Sequence, residues 1–378
     1  MQQDLGLMGM RGIAALLVVA FHIILYSPFS PTQVSSNYLV QVVSTLAIII
    51  LFAGYSGVYL FFIISGYILV KKYESGDYNV DQRFSRAKYY MRRIFRTWPL
   101  YFLVIPVFAF INTGTLIPIV WQSFFFVQNF FPSTFVNNPT WTLIVEEVFY
   151  LFLPVWIILF RRNWKIALLG TAAFTIGYMA VVRFVLLQTS AYSFAQFPAF
   201  AFTFALGTLI AYNRKVKVNW ILILAAWVLA SFVFSNLFTE GAFAFVPVIF
   251  FSGIYFLVVC NLDSSRLFTN GASVFLGKLA YPIYLFGLPI QFLLMVYLGR
   301  PDPLWIPLTI MLTIAIAYVI NVLIEKPFIS LGRKLESMLV LAPSAATAEI
   351  KKEILERQMP ETQIEASEDT QGTQPKDG

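Results

Sequence analysis

The segment MRGIAALLVVAFHIILY, residues 10–26, decides the fold class of this chain. It is apolar except for Arg11 near its start and His22 in its second half. An α-helix needs about 20 mostly apolar residues to cross the hydrocarbon core of a bilayer. The segment therefore predicts a first membrane-spanning helix that carries two ionisable side chains.

Similar apolar runs recur along the chain. The second run is long, which favours a break near Gly54 and Gly57. Pro327 predicts that the last helix stops at Glu325. Residues 117–131 are apolar but short, so we expect a re-entrant or interfacial segment there. We predict about ten spans, at residues 10–26, 38–70, 100–111, 143–160, 166–187, 197–212, 220–237, 243–260, 279–298 and 304–324.

The composition excludes a water-soluble fold. Of 378 residues, 59% are hydrophobic and 12% are charged, whereas soluble domains carry roughly 25% charged residues. We predict an all-α polytopic membrane protein with a disordered tail at residues 343–378. The single cysteine, Cys260, excludes a Cys-rich metal site, and we predict no bound metal.

Basic residues are concentrated in alternate connecting segments. They lie in residues 71–96, 161–165, 214–217 and 266–278 and in the tail. Because lysine and arginine favour the cytoplasmic side, both termini are predicted to be cytoplasmic in a multi-pass protein of the inner membrane. The net charge of +7 then reflects topology. The expected partner is the lipid bilayer, and nucleic acid is not expected.

Arg11 and His22 share one face of the first helix. Eleven residues at about 100° each return to within about 20° of the same direction, with a rise of roughly 16 Å. Ionisable groups at membrane depth usually have a function, and imidazole is the usual acid or base near neutral pH. The spacing predicts a face that lines a polar cavity. The alternative is an arginine that reaches the interface and a structural histidine.

Two adjacent carboxylates occupy the fourth predicted span. Glu146 and Glu147 point about 100° apart, so only one of them can face a given partner squarely. Glu146 shares its face with Tyr150, four residues later, and with Trp141. The alternative to a functional site is an ion pair with a neighbouring helix.

The stretch KYYMRRIFRTWPLY, residues 88–101, is basic and aromatic. Such a stretch is typical of a topology anchor that contacts anionic lipid head groups. Its arginines could also bind the phosphates of a soluble cofactor, because a guanidinium offers paired donors to phosphate oxygens.

Six segments together resemble the acyltransferase 3 family of membrane O-acyltransferases. In the family's order and spacing, they are LMGMRGIAALLVVAFH at 7–22, LFFIISGYIL at 60–69, residues 93–101, residues 139–150, YPIYLFGLP at 281–289 and EKPF at 325–328. The resemblance covers residues 5–333, and it implies that these residues form one transmembrane domain. It implies transfer of an acyl group, commonly acetyl from acetyl-CoA, to hydroxyls of cell-surface or exported glycans or other acceptors. Acyl-CoA is then a co-substrate, and no tightly bound cofactor is implied.

The resemblance also implies roles for individual residues. Arg11 with His22 matches the family's Arg-x10-His signature, Ser65-Gly66-Tyr67 its Ser-Gly-Phe element, Arg93 with Arg96 its basic pair, and Trp141 with Glu146 its Trp-Ser-Leu-x-x-Glu element. On this basis His22 and Glu146 are the candidate catalytic residues. The candidates for acyl-CoA binding are Arg11, Arg93 and Arg96, and those for substrate binding are Ser65, Trp141 and Tyr150.

The chain departs from the family pattern at Gly287. Many members carry a second histidine there, so the chemistry would rest on His22 alone, or the acceptor differs. Some members also carry a C-terminal hydrolase-like domain, and here we expect any such partner to be a separate protein.

Two roles for His22 remain open at this point: general base on the acceptor hydroxyl, or transient carrier of the acyl group. Glu146 would orient the imidazole or bind the acceptor. The competing function is a transporter or flippase for a lipid-linked sugar or small metabolite, with Arg11, His22 and Glu146 as a proton relay. A scaffolding protein would leave the buried ionisable residues unexplained.

Overall fold

The computed structural model describes residues 2–26, 37–75, 83–113, 120–130, 138–185, 195–213, 215–237, 245–262, 266–298 and 305–338. All regular elements in these ranges are helical. The predicted tail, 343–378, lies outside them. In chain order, the helices are α1 (Gln2–Tyr26), α2 (Tyr38–Phe52), α3 (Gly57–Glu74), α4 (Arg83–Thr113), α5 (Val120–Phe124), α6 (Trp141–Arg162), α7 (Trp164–Ala180), α8 (Phe197–Ala211), α9 (Trp220–Leu237), α10 (Phe245–Cys260), α11 (Gly271–Lys278), α12 (Ala280–Leu298) and α13 (Trp305–Ile320).

Seven of the described helices are long and apolar enough to cross a membrane. They are Leu5–Tyr26, Tyr38–Glu74, Ala87–Ile111, Trp141–Arg162, Trp164–Val185, Ala280–Tyr297 and Ile306–Met338. Three shorter apolar helices occupy the positions of the sixth, seventh and eighth predicted spans: Phe197–Ala211, Trp220–Phe234 and Val246–Cys260. The all-helical membrane architecture is confirmed, whereas the count of ten spans and the orientation stay predictions.

The second predicted span is interrupted where the sequence suggested. α2 and α3 are joined by a 3₁₀ turn, Ala53–Ser56. A Cβ atom on Gly54 would lie 2.2 Å from the carbonyl oxygen of Leu17, and one on Gly57 would lie 2.9 Å from that of Ala14. Only glycine permits this close approach to α1, which is how small residues bring membrane helices together. These contacts also show that α3 runs antiparallel to α1.

Two predicted helix boundaries are wrong. α4 begins at Arg83, so most of the basic stretch before the third predicted span is helical and continuous with it. The last helix does not stop at Glu325. It passes through a π-helical turn, Asn321–Glu325, and continues to Met338 beyond Pro327. Proline removes one backbone donor and crowds the preceding turn, and the wider π turn relieves that crowding.

One end of the bundle is held by two sets of ion pairs. Arg161 at the end of α6 contacts Glu74 at the end of α3, with Nε 3.0 Å from Oε1. Arg92 near the start of α4 binds Glu336 on the last helix through two nitrogens, at 2.6 and 2.8 Å. We call this the basic end. α1 also begins there, because α3, which is antiparallel to α1, ends there.

Candidate active site

His22 is buried in the last two turns of α1. Its Nδ1 donates a hydrogen bond to the carbonyl oxygen of Val18 at 2.8 Å. A carbonyl can only accept, so in the neutral ring the proton sits on Nδ1 and Nε2 carries the basic lone pair. From α12, the side-chain amide of Gln291 donates to the backbone oxygen of His22 at 3.0 Å. The bond to Val18 therefore holds the imidazole on α1 and leaves the basic lone pair on Nε2.

Gly287 lies against α1 one turn of α12 before Gln291. A Cβ atom on Gly287 would be 2.5 Å from Cγ2 of Val19. A histidine at this position would require Val19 to move, so the close packing of α12 on α1 accounts for the glycine. Within the described residues, no group of three or more His, Cys, Asp or Glu side chains could hold a metal ion.

The three predicted arginines come together from two helices. Arg96, on α4, interacts electrostatically with Arg11 of α1, with Arg93 and with Glu325. Glu325 in turn accepts a hydrogen bond from the side chain of Asn321 at 2.6 Å. We call Arg11, Arg93 and Arg96 the arginine cluster. The like charges of the arginines repel, and Glu325 offsets part of that repulsion. Such a cluster favours an anion, and phosphate oxygens suit the guanidinium fork.

Glu146 forms one hydrogen-bond network with two other predicted residues. Its Oε1 accepts from the Ser65 hydroxyl at 2.8 Å, and its Oε2 accepts from the Tyr150 hydroxyl at 2.8 Å. The guanidinium of Arg93 lies 5.7 Å from the centre of the Tyr150 ring. The network therefore adjoins the arginine cluster, and the predicted shared face of Glu146 and Tyr150 is confirmed.

Glu147 faces a different helix. Its Oε1 accepts from the Thr97 hydroxyl of α4 at 2.8 Å. Glu147 also interacts electrostatically with Arg93 of α4, so the alternative of an ion pair with a neighbouring helix stays open. Glu147, Thr97 and Glu325 were not among the predicted site residues. The signal that could have indicated Glu325 was a carboxylate at the end of an apolar run.

The Trp141 side chain lies in an aromatic cluster. Its ring contacts those of Phe62 and Phe200, with centroid distances of 6.4 and 5.4 Å. A role in substrate binding for Trp141 stays a prediction.

His22 and Glu146 lie at different depths of the bundle. Tyr284 of α12 contacts Thr142 of α6 through their hydroxyls at 2.8 Å. Gln291, seven residues further along α12, reaches His22, and seven residues span roughly 10 Å. Glu146 lies one turn beyond Thr142 toward the basic end. Glu146 therefore lies beside the arginine cluster. The geometry does not support Glu146 as the residue that orients the imidazole of His22.

Comparison with known proteins adds two findings. Residues 4–322 match a family model described as an acyltransferase domain. Over 210 residues the chain is 31% identical to the acyltransferase MdmB of Streptomyces mycarofaciens, in a match that covers 52% of this chain and 48% of that protein. The chain thus spans about half the length of this curated relative. No solved structure matches the chain.

Proposed function

The chain belongs to the acyltransferase 3 family, and from that premise we propose that it transfers an acetyl group from acetyl-CoA to a hydroxyl of a cell-surface or exported glycan. The observation that carries the proposal is the arginine cluster, which begins on the same helix as the fixed imidazole of His22. Arg11 and His22 are eleven residues apart on α1, a rise of roughly 16 Å. This separation suits a donor with phosphates at one end and a thioester at the end of a thin arm.

The arginine cluster would hold the phosphates of the donor. Guanidinium groups bind phosphate oxygens through two parallel hydrogen bonds. Acyl-CoA is a cytoplasmic metabolite, so the basic end would face the cytoplasm and both termini would lie there. In a bacterial cell the protein would then lie in the inner membrane, with the acceptor presented from the other side.

His22 would act as the general base. Its Nε2 takes the proton of the acceptor hydroxyl while the oxygen attacks the thioester carbonyl carbon. The carbon–sulfur bond breaks, and the CoA thiolate takes the proton back from Nε2. The products are the O-acyl glycan and free CoA, and the imidazole returns to its starting state. Ser65 and Tyr150 would hold Glu146 beside the donor.

The test is the mass of glycans from cells that lack the gene and carry wild type, His22→Ala or Leu25→Ala. We expect a base-labile acetyl mass to be lost on deletion and restored by wild type but not by His22→Ala. Leu25 lies on the same helix and is exposed, so Leu25→Ala serves as the matched control and should restore the acetyl group.

Two outcomes would contradict the proposal. Glycans that keep their acetyl groups after deletion would exclude a glycan acceptor. Loss of proton-coupled uptake in the His22→Ala strain, with acylation intact, would indicate a transporter. Amounts of each variant in the membrane must be equal, since the loss of a buried side chain can also lower stability.

A further inference from the structure

A cavity of about 280 Å³ lies between α4 and α6. Its walls include Ile94 and Trp98 from α4, Phe126 from the segment after α5, and Ile144 and Val148 from α6. Arg93, Glu147 and Tyr150 also line it. We call this cavity the α4–α6 slot. Ligand pockets for whole drug-sized molecules are roughly 300–1,000 Å³, so the slot fits part of a ligand rather than a large one.

Two polar groups face the slot from opposite helices. Glu147 accepts from Thr97 through Oε1, and a carboxylate has further lone pairs for another donor. The indole N–H of Trp98 is buried and lies toward the Glu147 carboxylate, with which it forms only a poorly aligned hydrogen bond. Buried donors in native proteins nearly always have a well-aligned acceptor, so a donor with so weak a partner suits a ligand or water. The slot thus offers one acceptor and one donor between apolar walls.

The slot begins at the arginine cluster. Arg93 belongs to both, and it interacts electrostatically with Arg96 on one side and with Glu147 on the other. From Tyr90 to Trp98 along α4 the slot extends roughly 12 Å away from the basic end. Glu147 offsets the charge of Arg93 inside the slot, so the part of a ligand that fills it should be neutral.

We propose that the α4–α6 slot binds the amide-bearing pantetheine arm of acyl-CoA, with an amide N–H donating to Glu147 and an amide carbonyl accepting from Trp98. The proposal rests on the function proposed above, because it assumes that the donor phosphates lie at the arginine cluster. The arm is neutral and thin, it alternates apolar segments with amides, and it starts at a diphosphate. Each of these properties matches a property of the slot. The start of the arm would then lie between α4 and α6, and its thioester end would continue to His22 on α1.

The test measures binding of two probes to the purified full-length protein by calorimetry. Free CoA carries the arm, whereas adenosine 3′,5′-bisphosphate carries only phosphates and nucleoside. Trp98→Phe keeps an aromatic side chain, though a smaller one, and removes the N–H donor. We expect it to weaken CoA binding about threefold to tenfold, the usual value of one hydrogen bond, and to leave the bisphosphate unchanged. Trp121→Phe makes the same change at an exposed tryptophan outside the slot and should bind both probes as wild type does.

A second variant fills the slot. Val148→Phe should weaken CoA binding at least tenfold and spare the bisphosphate. Equal CoA affinity in wild type, Trp98→Phe and Val148→Phe would overturn the proposal. A second contradicting result is that the variants weaken binding of 1-dodecanol but not of CoA. The slot would then bind a molecule dissolved in the bilayer.

The result also separates this inference from the proposed function. Wild-type protein that binds no CoA would overturn the donor and the slot together. CoA binding that the slot variants do not alter would overturn the slot alone. A third outcome is that the slot variants weaken CoA binding while glycans from the cells carry no acetyl group. That outcome would support the slot and contradict the glycan acceptor.

Discussion

Glu146 and Glu147 are adjacent in the chain, and each binds a different helix. Glu146 accepts from Ser65 of α3, whereas Glu147 accepts from Thr97 of α4. Helical geometry alone predicted that the two carboxylates diverge. It could not give their partners, because a helical wheel describes directions around one helix and not the positions of neighbouring helices. For the same reason the sequence missed Glu147 and Thr97 while it identified Tyr150.

We expect Glu146→Gln to reduce acyl transfer at least tenfold and to destabilise the protein by about 1–2 kcal/mol. Both carboxylate oxygens accept from hydroxyls, and the amide nitrogen of glutamine cannot accept. The measurements are CoA release from acetyl-CoA in the presence of acceptor and thermal unfolding in detergent. Glu74→Gln is the matched control, because the Glu74 ion pair with Arg161 is partly exposed and such pairs contribute about 0–1 kcal/mol. Equal effects of the two variants would contradict a special role for Glu146.

At the scale of elements, a proline inside a helix leaves the backbone carbonyl four residues earlier without its helical donor. A neighbouring helix can supply that donor. Pro154 has no N–H, so the carbonyl of Tyr150, four residues earlier, lacks its helical donor. The buried Tyr89 hydroxyl of α4 donates to that carbonyl at 3.2 Å. In a membrane every backbone polar group must find a partner inside the protein. The proline in α6 and the tyrosine in α4 thus form one contact between the two helices that border the slot.

Tyr89→Phe should therefore destabilise the wild type by about 1 kcal/mol and the Pro154→Ala background by less, since the substituted alanine restores the helical donor. The double-mutant cycle is measured by thermal unfolding in detergent. Tyr90→Phe is the control: its hydroxyl donates to Leu151, whose helical donor, Val155, is an ordinary residue. A Tyr89→Phe effect that is the same in both backgrounds would show that Pro154 and Tyr89 are not coupled.

Hydropathy located the helices better than their ends. It marked residues 100–111 and 304–324, but α4 starts at Arg83 and the last helix continues to Met338. Hydropathy reports the part of a helix at lipid depth, whereas backbone hydrogen bonding extends a helix into polar sequence at the basic end. Pro327 was misleading because the π turn before it, which the sequence does not reveal, accommodates the ring.

At the scale of the whole molecule, composition was sufficient for the helical membrane fold, and family motifs were sufficient for the chemistry class. Packing decided the rest. Gly54 and Gly57 predicted a break, and the contacts with Leu17 and Ala14 explain why the break needs glycine. The separation between His22 and Glu146 depends on the register of α6 against α12, which no single helix contains. The sequence therefore placed both residues in one site, and the structure separates them along the bundle axis.

The orientation of the bundle can be tested by cysteine labelling in a Cys260→Ser background. Ser75 lies at the basic end after α3, and Asn37 caps α2 at the opposite end. The ion pairs Arg161–Glu74 and Arg92–Glu336 place basic segments from α4 and α6 at the same end as Ser75. Since basic segments favour the cytoplasm, we expect Asn37→Cys to react with an impermeant maleimide in intact cells and Ser75→Cys to react only after permeabilisation. The reverse pattern would place the arginine cluster outside, away from cytoplasmic acyl-CoA, and would contradict the donor proposed for it.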